Sequence, residues 1–399
     1  MSQTSHVTER QPVARTCPFD PPAEYRTLRD EAPVAEVTLP DGATGWLVSR
    51  YADVRSVLSD PRFSARRRQL RTGDPAAAGT PAPPPPPGMF ILMDAPEHTR
   101  FRRLLTGQFT VRRMRQLAPA VERMVSEHLD AMAAAGGPVD LVQDFALPIP
   151  SLVICELLGV PYADREEFQR NSATLIRLDA GPEEVQQAQA AMNAYFRRLA
   201  ADKRAEPRDD ILSGLVQSGE LTDEELAGVG GLLLLAGHET TANMIALSTM
   251  CLLRNPGQLA ALRADPSLMD GAVEELLRYL SVVQYGVRRT ALEDVELDGR
   301  LIKAGSMVVA VLSSGNRDAD QFPDEPDQLD VSRSSRSHLA FGHGIHQCLG
   351  QQLARVEMKA ALSALFARFP DLRLAVPVEQ VPMRDDMLVY GVHELPVTW

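Results

Sequence analysis

The chain is short of cysteine, of positive charge and of long apolar runs. Its four cysteines, Cys17, Cys155, Cys251 and Cys348, lie far apart and form no Cys-x-x-Cys pair. That excludes a disulfide framework and suits a reducing cytoplasm. The net charge is −12, which argues against a nucleic-acid partner. The strongest apolar run, Leu232–Ala236, is far below the roughly 20 residues a membrane span needs. The first residues carry no apolar core of a signal peptide, so a soluble, cytoplasmic protein is expected. No glycine fingerprint of a flavin or nicotinamide site is visible. What remains is 399 residues, 44% of them apolar, enough for a substantial core in one large or two ordinary domains.

One stretch organises the rest. Phe341–Gly350 reads Phe-Gly-His-Gly-Ile-His-Gln-Cys-Leu-Gly. An amphipathic helix is expected to follow, with Leu349, Leu353, Val356 and Ala360 on one face, ending near Pro370. Cys348 then sits among unpaired backbone N–H groups at the positive end of a helix dipole. Both favour the thiolate, the form that binds a metal. Gly342, Gly344 and Gly350 let the backbone come close to a flat object, and a haem with Cys348 as axial ligand suits that description. Two plainer readings stand beside it. One is a structural cysteine next to a glycine loop. The other is a zinc site of His338, His343, His346 and Cys348, although these lack the usual regular ligand spacing.

Elsewhere the chain reads as mainly α with smaller β-sheets. Residues 1–20 form an irregular lead-in and 21–399 a single catalytic domain. Val34–Val48 alternates around Asp41-Gly42 as a hairpin, and Tyr51–Ser59 is a short helix. Arg66, Arg67, Arg68 and Arg71 lead into a proline run, Pro83–Pro87, which excludes helix and central strand. That loop is a solvated linker or, as the less favoured reading, a partner-recognition site. Pro96 opens a helix carrying His98 and Arg102 on one face. Arg103, Arg112, Arg113 and Arg115 extend it into a basic region, either a docking patch or a solvated face. Residues 114–215 read as several helices, with a break at Ala180-Gly181-Pro182. Thr222 and Glu225 form a capping box for a helix apolar all round, hence buried. Inside it sit Ala236, Gly237, His238, Glu239, Thr240 and Thr241; polar groups there are costly without a purpose. Thr240 is also placed to bond back to the Ala236 carbonyl and kink the helix. Glu275 and Arg278 are three apart and make an ion pair. Val295–Asp298, Leu301–Ile302, Met307–Leu312, Met387–Val392 and Pro396–Trp399 are strand-like, and Val282–Tyr285 is taken as a further strand.

Phe341, Gly342, Gly344, His346, Cys348 and Gly350 match every fixed position of Phe-Gly-x-Gly-x-His/Arg-x-Cys-x-Gly. This resembles the haem-ligand loop of the cytochrome P-450 superfamily. Four further stretches resemble that family in its order: Asp94–Arg102, with Ala95 in place of a proline; Ala236–Thr240; Glu275–Arg278; and Arg289 five residues before Asp294. The tail Tyr390–Trp399, with Cys17-Pro18-Phe19, resembles a soluble bacterial branch that hydroxylates macrolides, other polyketides and sterol-like molecules.

The resemblance implies a haem-thiolate monooxygenase holding haem b (iron protoporphyrin IX) between the central helix and the loop. Cys348 would be the metal ligand. His98, Arg102 and Arg289 would hold propionates, and Phe341, His346 and Gly350 would line the haem. Glu239 and Thr240 would deliver protons to bound O2, with Ala236 and Gly237 leaving it room. Glu275 and Arg278 would brace the loop. Electrons would come from NAD(P)H through a ferredoxin and its reductase. Leu232, Leu235, Val282, Val283, Tyr285 and Leu388 would line a pocket for a bulky hydrophobic substrate, and a monomer is the default. A peroxide-driven peroxygenase, an epoxidase variant and a non-catalytic haem-thiolate sensor are the alternatives. The Glu239–Thr240 pair argues against obligate peroxide use and against a sensor, neither of which needs a proton relay.

Overall fold

The computed structural model describes residues 10–40, 42–66 and 84–399. Asp41, Arg67, Arg68, Arg71 and Pro81–Pro83 lie outside the described residues. The lead-in is irregular but seated: Gln11 donates its backbone N–H to the carbonyl of Thr38 at 2.8 Å, and Phe19 is buried.

The helices run in chain order. The first are α1 (Glu24–Glu31), α2 (Tyr51–Ser59), α3 (Glu97–Thr106) and α4 (Val111–Ala135). Then come α5 (Pro148–Leu158), α6 (Arg165–Ile176), α7 (Pro182–Ala205) and α8 (Ile211–Ser218). The longest is α9 (Asp223–Arg254), followed by α10 (Pro256–Ala264), α11 (Met269–Leu280), the single turn α12 (Leu312–Gly315) and α13 (Gln351–Arg368). The strands are short: β1 (Val34–Thr38), β2 (Thr44–Val48), β3 (Phe63–Ser64), β4 (Val139–Asp140) and β5 (Val287–Ala291). They continue with β6 (Val295–Leu297), β7 (Arg300–Ile302), β8 (Met307–Ala310), β9 (Arg373–Leu374) and β10 (Pro396–Thr398). They form a sheet β1-β2-β8-β5-β3, a sheet β4-β10-β9 and the hairpin β6-β7. The fold is mainly α with small sheets, as expected.

α9 is the axis. Its capping box is present, with the Thr222 hydroxyl accepting from the Glu225 N–H and the Glu225 carboxylate accepting from the Thr222 N–H. Because α9 is apolar all round, neighbours pack on every side: α5, α7, α8 and α13 all contact it. Glycines let them come close. A Cβ on Gly228 would lie 1.9 Å from the Pro87 carbonyl oxygen, and one on Gly237 2.8 Å from the Ile154 side chain. The described end of the proline run is therefore seated on α9 at Pro87–Gly88, while Pro84, Pro86 and Pro87 remain exposed to solvent.

Several expected details differ. The fully buried stripe of α13 is Leu353, Glu357, Ala361 and Leu365, while Val356 and Ala360 are only half-buried and Leu349 precedes the helix. The two stripes adjoin, and Glu357 in the middle reads as polar. Burial pushes its carboxyl well above the usual range, against a bond to Thr241. Met307–Leu312 is a strand only to Ala310; Leu312 already belongs to the turn α12. Met387–Val392 is not a strand, and neither is Val282–Tyr285. They make isolated bridges, Val283 with Val389, Met387 with Arg177 and Val392 with Met383, because each segment turns before a ladder can grow.

Candidate active site

The cysteine loop is shaped by its glycines. Gly344 adopts φ +75°, and a Cβ there would lie 2.5 Å from the Leu58 carbonyl oxygen at the end of α2. A single 3-10 turn, Gly344–His346, follows, and the Cys348 N–H donates to the Phe341 carbonyl at 2.8 Å. Cys348 is accessible yet closely surrounded by protein, so it borders an internal space rather than the outer surface. Burial pushes its thiol up, against the Gly350 N–H, Arg102 and Arg355, which each favour the thiolate. The N–H at the start of the following helix favours the thiolate, as expected, and burial opposes it. A metal cation on the sulfur would supply the missing charge.

Beside it stands a wall of basic groups from three parts of the chain. The rings of His98, on α3, and His346, in the loop, are 4.2 Å apart. Burial, Arg102 and Arg289 drive His98 down to about 4, with Asp94 opposing. Burial, Arg289, His98 and Arg102 drive His346 down to about 3. Asp94, the acid of this group, is taken by the Ser64 hydroxyl and the Ala65 N–H. The Nε2 of His98 is buried without a partner. Arg289 donates to the Arg288 carbonyl at 3.0 Å. Positive groups gathered in a low-dielectric site depress one another, and carboxylates placed among them would relieve this.

Farther out the basic region is partly neutralised. Arg103 pairs with Glu220, Arg66 with Glu97 at 2.6 Å, and Arg113 with Asp209 at 3.6 Å, while Arg112 and Arg115 are exposed.

On α9, Leu232 and Leu234 are buried, but Leu235, Ala236, Gly237 and Thr240 are partly or fully accessible within a helix that is otherwise enclosed except at its two ends. The helix thus faces an internal space over this turn. Thr240 donates its hydroxyl to the Ala236 carbonyl at 2.9 Å. Helical structure runs unbroken through this point. Glu239 is buried, and its carboxylate lies 3.1 Å from Nη1 of Arg384 and 3.7 Å from Nε2 of His238. Sequence reasoning missed Arg384, which lies far beyond Glu239 in the chain, in a segment without regular structure; only the fold joins them.

Glu275 and Arg278 form a fully buried pair with two parallel bonds of 2.7 and 2.8 Å. Arg278 also donates to the carbonyls of Asn316 and Pro326, and Glu275 accepts from the Asp330 N–H and the Ser335 hydroxyl. The pair therefore fastens α11 to the long loop that leads to Cys348. Next to it Glu274 reaches Arg355 on α13 at 2.5 Å and His338 at 3.3 Å.

Of the expected pocket residues, Val282 is buried, and Val283 and Leu388 are half-buried. The Tyr285 hydroxyl bonds to the Asp385 carbonyl at 3.3 Å. The four zinc candidates do not gather as a metal site: His338 faces Glu274, and His343 reaches Arg55 at 3.4 Å. Among the described residues no cluster of three or more His, Cys, Asp or Glu could hold a metal ion.

A cysteine in a glycine loop, with Arg102, Arg289 and two histidines gathered beside it, fits an iron porphyrin: thiolate on the iron, basic groups on the two propionates. The class so defined is a haem-thiolate protein. Comparison with known proteins agrees. A profile described as Cytochrome P450 matches residues 263–397. Cytochrome P450-SU2 of Streptomyces griseolus is 54% identical over 385 residues, 96% of this chain and 94% of the relative. Vitamin D3 dihydroxylase of the same species is 47% identical over 399 residues, 97% of this chain and 96% of the relative. The crystal structure of CYP105P1 in complex with filipin I superposes with a TM-score of 0.92 at 46% identity, covering 98% of both chains.

The chain belongs to the cytochrome P450 family, and its activity is that of a cytochrome P450 monooxygenase. Members use a haem-thiolate iron and O2, and bacterial members of this branch take electrons from NAD(P)H through redox partners. Among the described residues no helix is long and apolar enough to cross a membrane.

Proposed function

We propose that the protein inserts one O2-derived oxygen into a C–H bond of a bulky hydrophobic small molecule, of the macrolide, polyketide or sterol-like kind, in the tailoring of a secondary metabolite. Its electrons come from a separate ferredoxin and ferredoxin reductase. The observation that carries this reading is the meeting of His98, Arg102, Arg289 and His346 beside Cys348.

In this reading Cys348 holds the iron, and the basic wall holds the propionates, with Phe341 and Gly350 completing the cradle. When bound, the haem supplies the activation of O2 and the C–H oxidation. The chain orients and protects that chemistry. Thr240 keeps its hydroxyl proton on Ala236, so its oxygen lone pairs face the internal space and can hold a water. Glu239 passes protons toward that water. The accessible Ala236 leaves space beside Thr240. Gly237 has a packing reason of its own, since Ile154 fills the place of its side chain. Leu232, Leu235, Val282, Val283 and Leu388 supply apolar surface and exclude water, which suits a hydrophobic substrate. The vitamin D3 and filipin I of the relatives' names support the size and class of that substrate.

The test is turnover of vitamin D3, filipin I and a panel of related sterols and macrolides with NADH, a ferredoxin and its reductase under labelled O2. The expected result is a product with one labelled oxygen. Product formed only with hydrogen peroxide would replace this reading with a peroxygenase.

A further inference from the structure

The centre of α9 carries a third polar group, His238. It is fully buried, and its Nδ1 lies 2.6 Å from the Leu234 carbonyl oxygen. A carbonyl only accepts, so Nδ1 carries the proton and Nε2 of the neutral ring is a bare acceptor. That Nε2 has no hydrogen-bond partner and lies 3.7 Å from Oε1 of Glu239. The other side of the carboxylate is held by Arg384, whose Nη1 is 3.1 Å from Oε2 and whose side chain is 11% exposed. Nη1 also reaches Oδ1 of Asn243 at 3.4 Å, and Asn243 donates to the Glu239 carbonyl at 2.7 Å. Two groups act electrostatically on the imidazole: Glu239 on its own helix, and Arg384 on the C-terminal segment. From α6 it meets the ring of Phe168, with centroids 5.8 Å apart.

Two acceptors facing each other in a buried gap are unfavourable unless a proton occupies it. We propose that His238, Glu239 and Arg384 form one proton-holding unit: as the pH falls, a single proton from solvent enters on His238 Nε2, facing Glu239 Oε1 across 3.7 Å, while Arg384 keeps the carboxylate in place. This rests on the reading of Glu239 as the residue that passes protons and extends it. His238 stores the proton that Glu239 passes on. Arg384 is a positioning residue that sets how readily the store fills.

The unit has a readout that needs neither substrate nor turnover. Carbon monoxide bound to the reduced, haem-loaded protein has a C–O stretch sensitive to nearby charge. Followed against pH, the wild-type band should shift through a one-proton step below 6.5, because burial and Arg384 both oppose protonation of His238. The step should vanish in His238→Gln and in Glu239→Gln. In Arg384→Gln it should move to higher pH, and Arg384→Lys should restore much of the wild-type midpoint. The Soret band of each variant confirms an intact haem site. A wild type with no step, a His238→Gln protein that titrates like the wild type, or an unmoved midpoint in Arg384→Gln would overturn the proposal. The last needs no change in α9, so it decides the matter if His238→Gln does not fold.

The underlying reading is tested apart, by the solvent isotope effect on NADH consumption in Glu239→Gln. If that effect is unchanged while the pH step depends on His238, the relay reading fails and the unit stands. If it changes while the step ignores His238, the relay stands and the unit fails.

Discussion

Thr240 is the residue whose geometry speaks most directly to chemistry. Its hydroxyl donates to Ala236 within the helix, so it acts toward a bound water through its lone pairs. Thr240→Ala should leave the fold intact, since the helical backbone bonds do not depend on the hydroxyl. NADH oxidation should continue, while product falls by on the order of 10²-fold and peroxide takes its place; product and peroxide measured per NADH check this. Unchanged coupling would contradict the role. The same residue shows what the sequence carries. Glu239 and Thr240 stand out because polar groups inside an all-apolar helix are anomalous. Arg384 does not, because nothing local links it to them. His98 and His346 are recognisable only through the family motif; their ring contact is made by folding.

At the scale of elements, the loop that presents Cys348 depends on α11 and α13. Glu275→Ala would leave the Arg278 guanidinium buried without its carboxylate. Losing one partner of such a pair costs about 3–5 kcal/mol. Thermal melting should show that loss together with weaker haem retention, and a melt within a degree of wild type would contradict it.

Glu274 ties the same two helices and adds a pH dependence. Burial opposes its ionisation, but His338 and Arg355 outweigh it and hold the carboxyl at about 2, against an ordinary 4.5. A lowered acid stabilises the fold fully above the ordinary value and loses that contribution as pH falls toward the lowered one. Wild type should therefore lose roughly 3 kcal/mol between these limits through this residue. Glu274→Gln should be less stable at neutral pH and flatter across the acid range. Parallel melting curves for the two proteins would refute this.

Element types were largely legible, because capping, proline breaks and apolar periodicity are local. The buried stripe of α13 was not, since a buried glutamate is indistinguishable in sequence from an exposed one. Met387–Val392 has a strand's pattern without being one, because its apolar residues serve isolated bridges and packing instead of a ladder, whereas Pro396–Thr398 is a strand as expected.

At the scale of the whole molecule, α9 is enclosed by helices that reach it at glycines, and it opens to an internal space only around Leu235–Thr240. Gly228→Ala tests this enclosure. Its Cβ would meet backbone, the Pro87 carbonyl at 1.9 Å, so the Pro84–Gly88 segment must move. Overpacking of this kind costs about 1–3 kcal/mol. Urea unfolding should show that loss, and wild-type stability would mean that the segment is not seated on α9.

The account stands or falls on Cys348 as the iron ligand, and the difference spectrum of the reduced protein with and without carbon monoxide tests that most directly. A Soret band at the thiolate-ligated position is predicted, moving to the histidine-ligated position in Cys348→His with loss of monooxygenase turnover. A histidine-type band in the wild type, or wild-type turnover in Cys348→His, would contradict it.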